Sequence, residues 1–416
     1  MRQSKRIIRE TLLVLQRCLV VAIDISKRSL HVYACTREGV ALGSRRFVNR
    51  GPGFQALLAW IMRLKRENYF ASVLVGMEPT GNYGKPLQRY LFLHGVMCVQ
   101  VNPAHVKKIK DLEDNSPEKN DKKDPVVIAD LVRQGKFLTT QVQTGVIEKL
   151  RHCVRARERA VTLRTQLLNE LESVVFEAFP EFFSVFPRVT TRTAQAVLAH
   201  YPTPREIREA GVEKLTELIR RASQGRSGRK LAEALVAAAE ESVGIGDAEP
   251  EYRVEVKSLL RMIRIQTKSI RRWEERMRRL LERVPYASYI LSIPGVAVVT
   301  AAALLSELGD LRRYRSKREI LKYAGLNLYQ LSSGKYRGQP RLSKRGSPIL
   351  RKYLYLAALA AVNPRNSVYR DFYKSYAARS CKQKALVAVA RKLLVLVFTL
   401  VRRRENYQPR PELARV

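Results

Sequence analysis

Short apolar runs and helical repeats alternate along the first part of the chain. Four apolar runs have the length and composition of strands: 19–24, 30–35, 72–78 and 96–101. A further strand at 45–48 is predicted from its hairpin spacing to 30–35, with Gly39 and Gly43 between them. Apolar residues recur at helical spacing from Phe54 to Leu64, and a second helix is predicted from Tyr83 to His94. The order of three strands, helix, strand, helix and strand predicts an α/β layer fold with a mixed sheet.

A polar, turn-rich segment interrupts this pattern between Asp111 and Asp124 and is predicted to be a mobile loop. Pro125 suits the first turn of the helix that follows, with Asp124 as its N-cap. The order of strands and helices before the loop resembles that of RNase H-like domains. An RNase H-like N-terminal domain is therefore expected.

Two long segments carry the heptad pattern of paired helices. Apolar residues repeat every seven positions from Ile147 to Val175, and in alternating steps of four and three from Tyr252 to Val284. Two such coiled-coil helices can pair within one chain or between two chains, and both arrangements stay open. The inserted segment between them, about 181–250, is mixed in character and includes a basic loop at 223–230.

The C-terminal part is predicted to be mostly helical. Residues 291–310 resemble a helix-hairpin-helix element, in which Pro294 and Gly295 form the turn. The backbone N–H groups after that turn can hold a phosphate, although an ordinary helix start at Pro-Gly is an equal alternative. The apolar run 393–401 is too short to span a bilayer and predicts a buried helix.

These patterns divide the chain into five parts. They are an N-terminal extension (1–17), an α/β domain (18–144), a coiled-coil region (145–285) with its inserted segment, a C-terminal domain (286–380), and a final helix and tail (381–416).

The net charge of the chain limits the classes of function that are expected. Among 416 residues, 77 are Lys or Arg and 38 are Asp or Glu, which gives a net charge of +39. An apolar content of 46% excludes a wholly disordered protein. The positive charge argues against an ordinary metabolic enzyme and, without a membrane segment, favours DNA or RNA as the partner. The five cysteines form no C-x-x-C pair and fit a reducing cytoplasm.

Positive charge is concentrated between residues 311 and 352, where thirteen basic residues accompany a single acid, Glu319. A solvated face normally mixes both signs, so this excess predicts a phosphate-binding surface. The residues selected as nucleic-acid contacts are Arg312, Arg313, Arg315, Lys335, Arg337, Arg341, Lys344, Arg345 and Arg351.

Four carboxylates are candidates for a metal site. Asp24 and Glu78 end two strands that are expected to be neighbours, and Asp121 and Asp124 lie in or at the end of the following loop. Carboxylates that converge repel one another and need a cation to stay ionised. Their oxygen atoms suit Mg²⁺ or Mn²⁺, which can activate a nucleophile at a phosphodiester. Each residue alone can instead be a turn residue or a helix cap.

Ordered motifs carry a resemblance to a known family. The N-terminal motifs are Ala22-Ile-Asp24-Ile-Ser-Lys27, Met77-Glu78-Pro-Thr-Gly-Asn-Tyr83, Val101-Asn-Pro-Ala-His105 and Asn120-Asp121-Lys-Lys-Asp124. They are similar to those of the DEDD transposases of the insertion-sequence-110 family, whose N-terminal domain is RuvC-like.

The C-terminal motifs follow in the order found in the same family. They are Ser292-Ile-Pro-Gly-Val296, Tyr323-Ala-Gly-Leu326, Ser333-Gly334, Leu342-Ser-Lys-Arg-Gly346 and Leu350-Arg351. They resemble the motifs of the family's C-terminal transposase domain. The resemblance covers about residues 18–180 and 250–375, and the chain departs from the family by extra length near 180–250.

The resemblance implies a site-specific recombinase that moves its own insertion sequence. It implies that the four acids hold Mg²⁺ beside the scissile phosphate and that Ser333, the serine before a glycine, forms a covalent bond to DNA. It also implies a bridge RNA, encoded by the element, that pairs with double-stranded donor and target DNA. The enzyme is expected in a prokaryotic cytoplasm, as a homodimer through the heptad seams or a tetramer during strand exchange.

Two other functions stay open. A RuvC-like nuclease that uses water as its nucleophile would need the four acids and not Ser333. A nucleic-acid-binding protein without catalysis would need neither. The serine assignment has its own alternatives, because Ser332 and Ser343 are rivals and Ser333 can be a simple turn residue.

Overall fold

The computed structural model describes residues 17–79, 81–113, 123–139, 142–243, 248–333, 336–363 and 367–409. The chain forms two compact units, residues 1–142 and residues 143–416. Within the described part of the chain, no helix is both long and apolar enough to cross a membrane.

The first unit contains a mixed sheet of six strands, which confirms the predicted α/β layer fold. Its strands are β1 (Cys18–Ile25), β2 (Ser29–Cys35), β3 (Ala41–Val48), β4 (Ser72–Met77), β5 (Met97–Val101) and β6 (Phe137–Thr139). Its helices are α1 (Gly51–Glu67), α2 (Lys85–Leu93), α3 (Pro103–Glu113) and α4 (Lys123–Arg133). The spatial order is β3-β2-β1-β4-β5-β6, and the neighbours β1, β4 and β5 are parallel.

Strand β1 is apolar on both faces because helices cover the sheet on both sides. Its odd-numbered residues from Leu19 to Ile23 share a core with α1 and α2. Its even-numbered residues from Cys18 to Ala22 share a second core with α4. This double burial explains why the run 19–24 shows no polar alternation.

Two predictions around the acidic loop need correction. The segment from Asp111 was predicted as loop, but α3 continues to Glu113. Helix α4 begins at Lys123, so Asp124 lies inside its first turn and is not the N-cap. Residues 114–122 lie outside the described residues, and the predicted metal ligand Asp121 is among them.

The second unit is largely helical. Its helices are α5 (Gly145–Ala178), α6 (Phe182–Val185), α7 (Arg192–His200), α8 (Pro204–Ser223), α9 (Arg229–Glu240), α10 (Glu249–Leu281), α11 (Ala287–Leu291), α12 (Val298–Leu308), α13 (Lys317–Tyr323), α14 (Pro348–Ala361), α15 (Ser367–Ala377) and α16 (Lys382–Arg403). The predicted helix over 393–401 is confirmed within α16. Four two-residue strands make two antiparallel ribbons, β7 (Leu328–Tyr329) with β10 (Arg341–Leu342) and β8 (Ser332–Ser333) with β9 (Tyr336–Arg337).

The two long helices α5 and α10 pack against each other antiparallel within the chain. The start of α5, around Leu150, shares a core with the end of α10, around Met277. The end of α5, around Leu171, shares another core with the start of α10, around Val256. Of the two pairings left open by the heptads, the structure therefore has the intramolecular one. The predicted homodimer stays a prediction, and it would need a surface other than these seams.

Separate cores lie at the two ends of this helix pair. One core joins it to α11–α16 and includes Val154 of α5; we call this part the motif lobe, residues 287–403. The other joins it to α6–α9 and includes Leu167 of α5; we call this part the distal lobe, residues 181–243. Leu167 comes thirteen positions after Val154 in α5, so the two cores are about 20 Å apart along this helix.

The Pro-Gly turn between α11 and α12 packs tightly against α14. Gly295 has a φ of 85°, and a Cβ at this position would lie 2.7 Å from the carbonyl oxygen of Ala357 and 2.8 Å from the nitrogen of Ala361. Close backbone approach therefore explains the glycine. The helix-hairpin-helix phosphate site stays a prediction.

Candidate active site and nucleic-acid interface

Asp24 and Glu78 stand side by side at the carboxyl ends of β1 and β4. These parallel strands pair Ile23 with Met77, and each acid is the next residue along its strand. Neighbouring strands are about 4.8 Å apart, so the register alone brings the two backbones to that spacing. Both side chains are half-buried. The predicted adjacency of these two strand ends is thus borne out by the sheet topology.

Both acids project toward the face of the sheet that α4 covers. Side chains alternate along a strand, so Asp24 shares a face with Ala22, which is in the α4 core. Glu78 in the same way shares a face with Gly76, where a Cβ would overlap the side chain of Val132. Two carboxylates therefore lie at one edge of one face.

Helix α4 runs so that its first turn, which contains Asp124, lies toward the same edge of the sheet. At the end of α4, Arg133 donates hydrogen bonds to the carbonyl oxygens of Arg37 and Glu38, at 2.8 and 2.7 Å. These carbonyls belong to the β2–β3 turn, which is at the opposite edge of the sheet from Asp24. In the middle of the sheet, Ile128 faces Gly76. Asp124 precedes Ile128 by one turn and so lies on the acidic side, half-buried.

The donor set fits a hard divalent cation, because carboxylate oxygens are the ligands that Mg²⁺ and Mn²⁺ prefer. Within the described residues, no three His, Cys, Asp or Glu side chains are close enough to form a metal site. Asp121 is outside this part of the chain.

Asn49 links the loops that follow the two acids, and sequence reasoning missed it. Its Nδ2 donates to the carbonyl oxygen of Ser26 at 2.8 Å and to that of Tyr83 at 3.3 Å. Ser26 follows β1 and Tyr83 belongs to the loop after β4. The side chain of Asn49 therefore holds the Asp24 and Glu78 loops together. A polar residue directly after β3 gave no pattern from which this contact could be inferred.

His31 is a second neighbour that sequence reasoning missed. It stands directly opposite Asp24 in the antiparallel β1–β2 pairing, and its side chain is half-buried. Directly opposed residues have Cβ atoms about 5 Å apart on the same face. The hairpin register would have revealed this neighbour, because the tight turn from Ser26 to Ser29 fixes it.

Ser333 lies in a small exposed hairpin. It pairs with Tyr336 across the β8–β9 ribbon, and it is exposed to solvent. Gly334 and Lys335 are outside the described residues, as is the side chain of Ser332. The rival Ser343 is half-buried, and its hydroxyl lies 2.6 Å from Oδ1 of Asn327. Of these two serines, Ser333 is the accessible one.

Two glycine-containing motifs interlock beside this hairpin. A Cβ at Gly346 would overlap the carbonyl oxygen of Tyr323 and lie 2.7 Å from the nitrogen of Gly325. Arg351 fastens the contact, because its Nη1 donates to the carbonyl oxygens of Gly346 at 2.8 Å and Ala324 at 3.3 Å. Backbone packing is thus the structural reason for both glycines.

The predicted basic contacts divide into two groups. Three have protein partners: Arg351 as above, Arg312 with the carboxylate of Asp310 at 2.9 Å, and Arg313 with the carbonyl oxygen of Leu308 at 2.7 Å. Four others are exposed on the motif lobe, Arg315, Arg341, Lys344 and Arg345, and Arg312 is exposed as well despite its ion pair. Lys335 and the side chain of Arg337 lie outside the described part. The exposed group is the part of the prediction that the geometry favours.

An ionic network fastens α14 of the motif lobe to α5. The hydroxyl of Tyr353 donates to Glu158 at 2.5 Å, and Lys352 lies 2.6 Å from the same carboxylate. Burial alone raises the pKa of Glu158, but the hydrogen bonds from Lys352 and Tyr353 outweigh it and hold that pKa below its usual range. Arg157 completes the network through Tyr353 at 3.0 Å and Glu274 of α10 at 2.7 Å.

Two family models match the chain. Residues 21–180 match a transposase model described as the IS110 DEDD transposase, and residues 287–374 match a transposase model of the IS116/IS110/IS902 family. The first contains Asp24, Glu78 and Asp124, and the second contains Ser333.

Similar proteins come from several bacteria. A 43.6 kDa protein of insertion element IS110 from Streptomyces coelicolor is 24% identical over 394 residues, which cover 94% of this chain and 95% of that one. The transposase for IS1111A of Coxiella burnetii is 25% identical over 83% of this chain and 84% of its own. The pilin gene-inverting protein of Moraxella bovis is 27% identical over 30% of this chain and 39% of its own.

Proposed function

Because the chain belongs to the IS110 family of DEDD transposases, which makes it a DNA-cutting and rejoining enzyme, we propose that it works through a covalent bond between Ser333 and DNA. The observation that carries the proposal is the adjacency of Asp24 and Glu78 at the carboxyl ends of two parallel strands, with Asp124 directed to the same edge. Carboxylates at such an edge suit phosphoryl transfer on DNA.

The proposed step exchanges one phosphodiester bond for another. The Ser333 oxygen attacks the scissile phosphorus and loses its proton, a serine–phosphate bond forms, and the bond to the leaving strand oxygen breaks as that oxygen gains a proton. A hydroxyl of another strand then displaces the serine in the reverse sense. The number of phosphodiester bonds is conserved, so no ATP is required. The accessible position of Ser333 supports this role.

The serine needs activation, because a hydroxyl is a weak nucleophile at its ordinary pKa. Mg²⁺ or Mn²⁺ is the proposed cofactor, with Asp24, Glu78, Asp121 and Asp124 as its ligands. When bound, such an ion supplies charge neutralisation at the reacting phosphate. The acids themselves hold the cation and orient the site, and Asn49 keeps the two acidic loops together.

The proposed partners are double-stranded donor and target DNA and a guide RNA encoded by the element. Support comes from the net charge of +39 and from the exposed basic residues of the motif lobe. In this proposal base pairing with the RNA supplies the sequence choice, while the protein contacts phosphates. Cleavage by the purified protein is expected only when the noncoding RNA of its element is added.

Ser333→Ala is the central test. With labelled element DNA and guide RNA, the parent protein is expected to form a protein–DNA adduct that survives denaturation, and the variant none. Asp24→Asn is expected to abolish both the adduct and strand cleavage, because it removes a ligand charge. Strand joining and adduct yield are read on denaturing gels, and the adduct site is mapped by mass spectrometry of the linked peptide.

Ser343→Ala is the matched control, because it removes another hydroxyl from the same lobe. It is expected to keep the adduct. If Ser333→Ala cuts and joins like the parent, the serine role is wrong. If Asp24→Asn stops cleavage but Ser333→Ala does not, water is the nucleophile and the enzyme is a metal-dependent nuclease.

A further inference from the structure

Neither family model covers the distal lobe, which the chain inserts between its two long helices. Residues 181–250 contain ten Lys and Arg and ten Asp and Glu, so this segment is neutral in a chain of net charge +39. Half of its cations nevertheless lie between residues 220 and 230, and no acid lies among them. We call these eleven residues the basic tip. Its charge is a local feature and not a consequence of the overall composition.

The basic tip is the connection between α8 and α9, and hydrogen bonds shape it. The Ser223 hydroxyl donates to the carbonyl oxygen of Ser227 at 3.0 Å and accepts from its backbone nitrogen at 3.1 Å. Gln224 and Gly225 have φ values of 57° and 80°, which close the turn. The sequence predicts a basic loop at 223–230, and the structure has a compact turn there that leads into α9 at Arg229.

All five basic side chains of the tip point to solvent: Arg220, Arg221, Arg226, Arg229 and Lys230. Arg229 is paired with Glu233 at 2.8 Å and with Glu213 at 3.8 Å. At the other end of α8, Arg205 lies beside two acids, Glu209 at 3.6 Å and Glu249 at 3.4 Å. The tip is therefore the densest run of positive charge in the lobe, with five cations in eleven residues and no acid among them.

We propose that the basic tip binds the phosphate backbone of duplex DNA, as a contact separate from the basic surface of the motif lobe. The proposal rests on the proposed function, because it takes DNA as the substrate. Clustered arginine and lysine side chains release counterions when they meet phosphates. The tip has no aromatic residue on which an unpaired base could stack, so a duplex backbone fits it better than a single strand.

The test is the salt dependence of binding to a plain DNA duplex by the full-length protein. The variant Arg221→Gln, Arg226→Gln, Lys230→Gln removes three charges and leaves Arg229 and its ion pair in place. Each phosphate contact contributes about 0.9 to the slope of log K against log salt, so the slope is expected to fall by about 2.7. Fluorescence anisotropy at several salt concentrations measures the slope.

A matched control removes three other exposed cations of the same lobe: Arg188→Gln, Arg192→Gln and Lys214→Gln. It changes the net charge by the same amount and is expected to leave the slope near that of the parent. Circular dichroism and thermal unfolding check that both variants fold, which is expected because all six side chains are exposed.

Three outcomes overturn the proposal. The tip variant could keep the slope of the parent, or the control could lose as much as the tip variant. The tip variant could also lose affinity only for a single-stranded RNA of equal length. Failure of the proposed function can be told apart from failure of this proposal, because the serine adduct is measured separately. A protein that forms no adduct but shows the tip-dependent slope would support the DNA contact and contradict the serine chemistry.

Discussion

The two proposed parts of the active site are built in different ways. Asp24 and Glu78 follow strands in the middle of a sheet whose central strand is buried on both faces. Ser333 is exposed in a ribbon of two-residue strands, and its lobe adds close backbone contacts and charged hydrogen bonds to an apolar core of its own. Side-chain burial therefore positions the acids, while the motifs that precede and follow Ser333 are held to each other by glycine contacts.

This difference indicates how each part should fail. A buried apolar frame tolerates changes that the surrounding side chains can absorb, because methyl groups can shift by rotation or small movements. A close contact between two backbone segments has no such freedom, because a carbonyl or amide group cannot move unless its helix or strand moves with it. Substitutions at glycines in the two regions test this contrast directly.

Gly346→Ala is expected to have the largest effect. The added methyl group would overlap the carbonyl oxygen of Tyr323 and press on the backbone of Gly325. Separating these motifs also breaks the hydrogen bonds of Arg351, so we expect a loss of about 3 kcal/mol. Hydrogen exchange over residues 323–351 is the measurement, with adduct formation as the functional readout.

Gly81→Ala is the matched control in the loop after Glu78. Gly81 also has a positive φ, 52°, but a Cβ there meets nothing within 4 Å. Its cost is therefore limited to backbone strain, about 1 kcal/mol. If the two alanine variants are equally destabilised, backbone crowding is not what matters at Gly346.

Gly76→Ala is expected to have an intermediate effect. The new methyl group would overlap Cγ2 of Val132, a buried side chain of α4 and not backbone. We expect about 1–2 kcal/mol of destabilisation and a displacement of α4 that lowers activity, because Asp124 is on that helix. Chemical unfolding of the variant gives the first quantity and adduct yield the second.

The double variant Gly76→Ala, Val132→Ala decides whether this explanation is right. It removes the clashing methyl groups, so its loss of stability is expected to be smaller than the sum of the two single losses. A strictly additive result would mean that the residues do not interact and would refute the packing argument.

The same contrast explains which parts could be predicted from the sequence. Buried strands and long amphipathic helices leave a periodic pattern, so β1 and β4 were predicted with their acids, and α5 and α10 with their heptad seams. Their pairing within one chain was one of two arrangements left open. Strand β6 has three residues and α3 is largely polar, so neither leaves a readable signal. The strands β7 to β10 have two residues each and were missed for the same reason.

Contacts between distant segments were not predictable from pattern at all. Arg351 was predicted to contact nucleic acid, but nothing in its sequence neighbourhood indicates the carbonyl oxygens of Ala324 and Gly346 that it binds. Asn49 is a similar case. The serine itself was chosen through the family motif, because an exposed two-residue strand carries no hydrophobic signature.

Glu158→Gln is expected to have a smaller effect than Gly346→Ala, and this effect depends on pH. Glu158 joins α5 to α14 through Tyr353 and Lys352, and its pKa in the folded protein is below the ordinary value of 4.5. A lowered pKa means that the carboxylate stabilises the fold above pH 4.5 and that this contribution is lost as the pH falls through the folded pKa. Charged hydrogen bonds of this kind contribute about 1.5 kcal/mol.

The parent is therefore expected to exceed Glu158→Gln in unfolding free energy at pH 7, and the gap is expected to close in acid. Urea unfolding at several pH values measures it, with Glu172→Gln, exposed on the same helix, as control. A gap that is constant down to pH 3 would show that shape and not charge matters at Glu158. The strands that carry Asp24 and Glu78 are held by apolar packing, which does not titrate. The pH dependence therefore tests only the charged hydrogen bonds of Glu158.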